Sequence, residues 1–369
     1  MSLGGRGIRG TGAVLGGSGI SLSGGGGGFT GLLNDYPDAA AAYSVRRLSS
    51  TYTGSLIEVR RTVSATTVTA DVAYDSNNEL SLDSLITVTG GSSSATNLGE
   101  FVAAAGYLDP DSLGSGADSF VRTWYDQSGN AVDFTQTSTS AQLPIITAGV
   151  INLKDGKVAA SISSTQFMSV PSSTGSFNYL HDGTSSSYFS VASFGNSSNP
   201  NNTYTLFSNT NNINTQIGYY FRYDDRAASG RNNRLVDYNV NGSSPPSCNV
   251  ELNDVITPNQ NNLIFSNIDA DNVILANRAE YYINNGVIIN NNTKNGVATL
   301  NNASNNMFLG RLPDGTFTME GTFSEAVFWD SDQSANRAGI QNNINTYFSI
   351  YSPPGGIGTW AIGTTFVIQ

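Results

Sequence analysis

The residues best placed to do chemistry in this chain lie in "WYDQSGN", residues 124–130. The stretch joins an aromatic pair, the Asp126 carboxylate, an amide and a Ser-Gly-Asn turn. Aromatic faces beside carboxylates and amides suit contact with sugars. The same residue types also build turns, because an Asp side chain accepts hydrogen bonds from the backbone that follows it. On that second reading Trp124 and Tyr125 pack in or beside the core, and Asp126 satisfies donors of the turn from Ser128 to Asn130. Other chemistries find less support. His181 is the only histidine. It therefore supplies neither a Ser-His-Asp set nor an ordinary zinc site, and it reads as a surface residue. Asp224 and Asp225 in "YFRYDDR" could hold a cation or simply end a strand. "SGGGGGF" lacks the Lys-Ser/Thr of a phosphate loop. Cys248 stands alone, so no intrachain disulfide is expected. No metal or cofactor is expected.

The elements that must carry these residues are strands. Of the 369 residues, 38% are hydrophobic, 10% aromatic and only 12% charged. That charged share is about half the usual one. Gly, Ser, Thr and Asn take its place, and these suit strands and turns better than helices. The formal net charge of -11 repels phosphate backbones, so no nucleic-acid partner is expected. No apolar run is long enough to span a membrane as a helix. The start of the chain lacks the apolar core of a secretory signal.

Residues 1–30 read as a separate Gly-rich arm or linker, with 13 of the 40 glycines. Its charged side chains are Arg6 and Arg9, and Ile8 and Ile20 are among its apolar beads. These four are the candidate anchoring residues. Such a segment buries too little apolar surface to fold alone, so it is a linker or it orders against a partner. Pro37, Asp38 and the alanines that follow predict a short helix over 38–50. "NLGEFVAAAG" predicts a second, and "SANRAGIQNNINTYFSIY" a late one. Between them "SLIEVRRTVSATTVTADVAYD", "FVRTWYD", "YFSVASF", "YTLFSN", "QIGYYFRYD", "NLIFSNI", "EYYINNGVII", "NNMFLGRL" and "GTFSEAVFWD" read as short strands between turn clusters. The pattern predicts an all-β, antiparallel β-sandwich over 31–352 with a few short helices. No fixed-period repeat is present. The tail 353–369 ends in an apolar strand that serves either its own domain or a neighbour's sheet edge.

Three stretches in order, "AAYSVRRLSSTYTGSLIEVRRT", "WYDQSGNAVDFTQ" and "FLGRLPDGTFTMEGTFSEAVFWDSD", resemble the catalytic domain of the fungal alpha-L-arabinofuranosidase B family. The resemblance covers roughly residues 36–351 and implies a concanavalin-like, lectin-like sandwich. A similar sandwich with a Gly-rich arm and the "YPDAAAAYSVRRL" opening also looks like domains of bacteriophage virion proteins. The family's enzymes retain configuration, which takes a nucleophile and an acid/base about 5 to 5.5 Å apart. Asp314 of "RLPDGT" falls on the family's acid/base position, although Pro-Asp-Gly is equally a turn signal. "VDYNVN", residues 236–241, matches the nucleophile stretch. There Asp237 falls on a substrate-binding Asp and Asn239 on the nucleophilic Glu. A neutral amide cannot form the glycosyl-enzyme intermediate. The family's adjacent cysteine pair is also missing.

Two functions follow as expectations. The first is a bacteriophage virion structural protein, a capsid decoration, fibre or tail component. It would be made in the host cytoplasm, anchored to other virion proteins through residues 1–30 and assembled as a homo-oligomer. Its non-catalytic sandwich would face host-surface glycans, with no membrane insertion. Asp126, Asp237, Asn239 and Asn241 are its candidate ligand residues. Tyr219, Tyr220, Tyr223, Tyr238, Tyr281 and Tyr282 are candidate sugar-stacking faces, or core. The alternative is an active retaining alpha-L-arabinofuranosidase or related glycosidase, with Asp314 as acid and Asp237 as its partner.

Overall fold

The computed structural model describes residues 29–63, 66–195, 203–211, 215–226, 234–241, 247–284, 286, 289–290 and 295–352, with backbone only at 63, 235–241 and 289. Arm residues 1–28, with Arg6, Ile8, Arg9 and Ile20 among them, and the tail 353–369 lie outside the described residues.

The strands form two large antiparallel sheets, one of seven strands and one of 13. Strand Gly321–Trp329 is central to the smaller sheet. It pairs with Ala41–Ser44 near the start of the described chain and with Ser186–Phe194 on its other side. Asn262–Ile268 and Ala279–Ile283 continue the order. The larger sheet runs from Cys248–Leu252 through Arg234–Asn241, Ile217–Asp224 and Thr203–Ser208 to the short pair Phe308–Leu309 and Met168–Ser169. It continues through Phe134–Thr135 and Ser119–Trp124 to the hairpin Ile57–Val63 and Thr66–Val72. The sandwich expected from strand and turn spacing is therefore the fold.

Aromatic rings fill the space between the sheets. From the smaller sheet Tyr188 meets Phe207, Tyr219 and Phe221 of the larger at 6.1–6.2 Å between ring centroids. Phe323 meets Trp124 edge-on at 4.9 Å. Edge-to-face rings at such distances stabilise a core beyond their buried area. The smaller sheet is covered on its other face as well. There Phe189 packs on Trp329 and Phe265, and the helix Arg337–Phe348 lies over the sheet with Ile340, Ile344 and Phe348 buried. This explains why all nine residues of Ser186–Phe194 are buried, serines included. Tight pairing at its end needs a glycine. A Cβ on Gly321, at φ +150°, would stand 1.9 Å from the Ser193 carbonyl oxygen.

The helix expected over 38–50 is not formed. Asp38 takes the left-handed conformation at φ 61°, which a helix start cannot use. Ala41–Ser44 then runs as a strand against Phe328–Glu325. Four small or flat residues fit where both faces are buried, and this long-range pairing outweighs the helix preference of alanine. "NLGEFVAAAG" yields one short turn of helix, Leu98–Phe101, with the Asn97 side chain accepting from Glu100 N. The late helix forms at Arg337–Phe348 as expected.

Candidate functional site

The "WYDQSGN" turn is a clamp between the sheets. Asp126 is 6% exposed. Its Oδ1 accepts from Ala42 N at 2.7 Å and Ser128 N at 2.9 Å, and its Oδ2 accepts from Ser128 Oγ at 2.7 Å. Gln127 accepts from Leu48 N through Oε1 and donates to Arg46 O through Nε2. Asn130 Nδ2 donates to the carbonyls of Ala39 and Ala40, each at 3.1 Å. Trp124 is fully buried and donates to Ser44 O. Asp126, expected among the ligand contacts, thus holds the first strand of the smaller sheet. Buried carboxylates of this kind are retained because their backbone donors have no other partner.

Asp314 lies on an exposed turn whose own donors it caps. Its Oδ1 accepts from Thr316 N at 2.9 Å and Thr316 Oγ1 at 2.7 Å, and Asp314 N donates to Asn211 Oδ1. Arg311, just before the turn, stands over two aromatic rings. The Arg311 guanidinium lies 3.3 Å from the Phe167 ring centroid and 5.4 Å from that of Phe308. Burial lowers the Arg311 pKa from its usual range, partly opposed by Asp314. Asp237, Asn239 and Asn241 lie on strand Arg234–Asn241, for which the backbone alone is described. In its register Asp237 pairs with Phe221, Asn239 with Tyr219 and Asn241 with Ile217.

The register of the larger sheet exposes a pattern that no short motif announced. Asp71 pairs with Glu58, Glu58 with Thr123, Thr123 with Thr135 and Thr135 with Ser169. Ser169 pairs with Phe308, Phe308 with Ser208 and Ser208 with Tyr220. Residues paired across strands share a face. The neighbouring row, Ile57, Trp124 and Phe134 with Leu309, Phe207 and Phe221, is the core. The first row therefore crosses the outer face, a span of about 34 Å at the usual strand spacing. Thr135, Ser169, Phe308 and Asp71 are half-buried, Glu58 and Thr123 are buried, and Ser208 and Tyr220 are covered at the far end.

At the near end two carboxylates face each other. Glu58 accepts from Arg122 Nη1 at 2.9 Å, Thr89 Oγ1 at 2.8 Å and Thr123 Oγ1 at 3.1 Å. Asp71 accepts from the Tyr125 hydroxyl at 2.6 Å. Burial raises the Asp71 pKa. The Tyr125 hydrogen bond opposes this, and the Glu58 charge adds to it. The half-buried members of the row, Asp71, Thr135, Ser169 and Phe308, can offer a carboxylate, hydroxyls and a ring surface to a ligand lying across the strands.

Three of the six tyrosines considered for stacking are core instead: Tyr219, Tyr223 and Tyr281 are fully buried between the sheets. Tyr220, on the outer face, is covered and 4% exposed. Tyr282 is half-buried under the Arg337 guanidinium. Tyr238 lies among the backbone-only positions. His181 is likewise not a surface residue. It is fully buried, with Nε2 3.1 Å from Asn301 O. Asp224 ends its strand in a two-point ion pair with Arg226. Cys248 is buried and stands outside any disulfide. Among the described residues no three His, Cys, Asp or Glu side chains group as metal ligands. No described helix is long and apolar enough to cross a membrane.

No protein-family model matches the chain, and no curated protein matches it. Among solved structures it is similar to an arabinofuranosidase complexed with arabinofuranosyl-alpha-1,2-xylobiose, at 15% identity and TM-score 0.47 over 83% of this chain and 62% of that one. It is similar to an alpha-L-arabinofuranosidase soaked with a cyclic sulfate inhibitor, at 15% identity and TM-score 0.47 over 86% and 65%. It is also similar to the CBM40 of a Ruminococcus gnavus IT-sialidase bound to alpha2,3 sialyllactose, at 10% identity and TM-score 0.33 over 43% and 81%. The chain spans 62% and 65% of the two arabinofuranosidase structures.

Proposed function

We propose that this chain is a glycan-binding, non-catalytic β-sandwich of a bacteriophage particle. The observation that carries the glycan reading is the row from Asp71 to Phe308 on the outer face of the larger sheet. The half-buried Thr135 and Ser169 bear hydroxyls, the half-buried Asp71 bears an acceptor for sugar hydroxyls, and Phe308 bears an apolar ring face. Strand spacing of about 4.8 Å sets the polar groups at intervals that suit successive sugar units. The particle setting is supported by the sequence alone, through the Gly-rich arm and its resemblance to virion domains. On this reading Arg6, Ile8, Arg9 and Ile20 attach the arm to other virion proteins, and copies of the chain assemble with one another.

A glycan microarray with the full chain tests the binding. Phe308→Ala should weaken a bound glycan about threefold to tenfold through loss of ring contact, with circular dichroism unchanged. Hydrolysis of an aryl alpha-L-arabinofuranoside tests the alternative. Turnover that vanishes in Asp314→Asn would replace the binding reading with the glycosidase. Deleting residues 1–30 should abolish incorporation into particles while the sandwich stays folded.

A further inference from the structure

A separate cleft of about 620 Å3 opens where strands of both sheets end. Its polar lining is Asp38, Ser128, Asn130, Ser176, Tyr179 and Asp330. These come from four places in the sequence. Asp38 precedes the strand Ala41–Ser44, and Ser128 and Asn130 belong to the clamp turn. Ser176 and Tyr179 precede Ser186–Phe194, and Asp330 follows Gly321–Trp329. The clamp described above fixes the wall, because Asn130 Nδ2 is held on the Ala39 and Ala40 carbonyls. That leaves Asn130 Oδ1 as an acceptor.

Tyr179 makes this more than a dent between loops. It is 8% exposed, and its hydroxyl has no hydrogen-bond partner among the described residues. The ring packs against Phe177 at 6.0 Å. The hydroxyl lies in the fields of Asp330 on the cleft and of Asp126 beneath it. Burial first, then these two carboxylates, keep it protonated and thus a donor. A buried hydroxyl without a partner costs stability unless something supplies one.

The complement of this lining is chemically narrow. Asp38, Asp330 and Asn130 Oδ1 need donors, the Tyr179 hydroxyl needs an acceptor, and Ser176 serves as either. Val132 and Ala40 add apolar wall. A ligand that donates, accepts and shows C–H surface at once is a polyhydroxylated ring. Two carboxylates at the mouth repel an anionic one. We infer that this end cleft is a second carbohydrate subsite, selective for an uncharged sugar unit, with Tyr179 donating to a sugar oxygen and Asp38 and Asp330 accepting from sugar hydroxyls. The inference stands independently of the glycan row on the sheet face.

Saturation-transfer NMR on the full chain tests it, with D-galactose, L-arabinose, N-acetylglucosamine and N-acetylneuraminate as probes. At least one neutral probe should bind and N-acetylneuraminate should not. Tyr179→Phe, which removes one oxygen atom, and Asp330→Asn, at an exposed position, should each weaken the neutral probe at least about fivefold. Phe308→Ala, on the sheet face, should leave it unchanged. The inference is overturned if no neutral sugar binds, if both cleft variants bind as the parent does, or if arginine methyl ester binds the cleft in place of a sugar. Loss in Phe308→Ala alone would overturn the cleft and keep the sheet-face reading. Loss in the cleft variants alone would support the cleft, and the sheet face stands or falls with its own glycan-array test.

Discussion

Arg46 and Glu325 form a two-point ion pair across 279 residues of sequence, Nε to Oε2 at 2.8 Å and Nη2 to Oε1 at 3.0 Å. Their side chains are 11% and 1% exposed. Ser44 Oγ adds a third bond to Glu325 at 2.6 Å, and Arg46 Nη1 reaches Asn343 on the C-terminal helix at 2.9 Å. The Tyr347 ring lies 4.9 Å from the guanidinium. One buried pair therefore ties together the first strand, the central strand and the helix that covers them.

Removing one member strands the other charge in a place without water. Glu325→Gln should destabilise the fold by about 3 to 5 kcal/mol, read as a lower urea midpoint. Replacing both residues with methionine should cost clearly less than Glu325→Gln alone, because no buried charge remains. Equal losses in the two variants would show that packing, not charge, holds this junction.

The Asp126 and Asp314 carboxylates should separate in stability. Asp126→Ala orphans the buried N–H of Ala42, at about 1 to 3 kcal/mol, and removes the acceptor of the half-buried Ser128 N–H as well. Asp314→Ala loses only the bonds to Thr316 on an exposed turn and should stay within about 1 kcal/mol of the parent. Chemical denaturation of both variants checks the order. A tolerant Asp126 would contradict the clamp.

Asp71 carries a pH signature. It faces Glu58 across the hairpin, and burial raises its pKa above the ordinary carboxylate value. The folded state therefore takes up a proton before the unfolded chain does as pH falls. Its charged form is a liability at neutral pH that acid relieves. Asp71→Asn should stabilise the protein at pH 7 by up to about 1 kcal/mol, the scale of a cross-strand pair. That gain should shrink on acidification toward pH ~4. Thermal melts across this range measure it, and a gain independent of pH would point away from charge.

His181 should give the opposite slope. Burial lowers its pKa, with the Asn301 carbonyl and Asp182 opposing. The unfolded chain then binds a proton below about pH 6.5 while the folded state remains neutral. Stability is full above that value and is lost as pH falls through it toward the folded pKa. His181→Gln should flatten stability between about pH 7 and 5. Urea midpoints at three pH values in this window would detect the change, and an unaltered slope would assign acid sensitivity to other groups.

Strand spacing, turn residues and a weak supply of helix formers were enough to read a β-sandwich, and "SANRAGIQNNINTYFSIY" was enough to read a late helix. These signals are local, and each depends on how one short segment divides its apolar and polar faces. The residues with functional meaning were decided over long distances. Alanines that favour helix became a strand because Phe328–Glu325 lay waiting to pair with them. Three tyrosines that could stack on sugars, Tyr219, Tyr223 and Tyr281, turned inward because the facing sheet supplied Tyr188, Phe194 and Phe221 as partners for their rings. The only histidine was buried by a loop more than a hundred residues downstream. The polar row on the sheet face has no sequence motif, since its members come one from each strand and meet only through register. The Tyr179 cleft likewise joins four distant segments. Sequence determines which way a strand can alternate. Which of its faces meets core, ligand or water depends on the partner strands, and only the assembled sheets decide that.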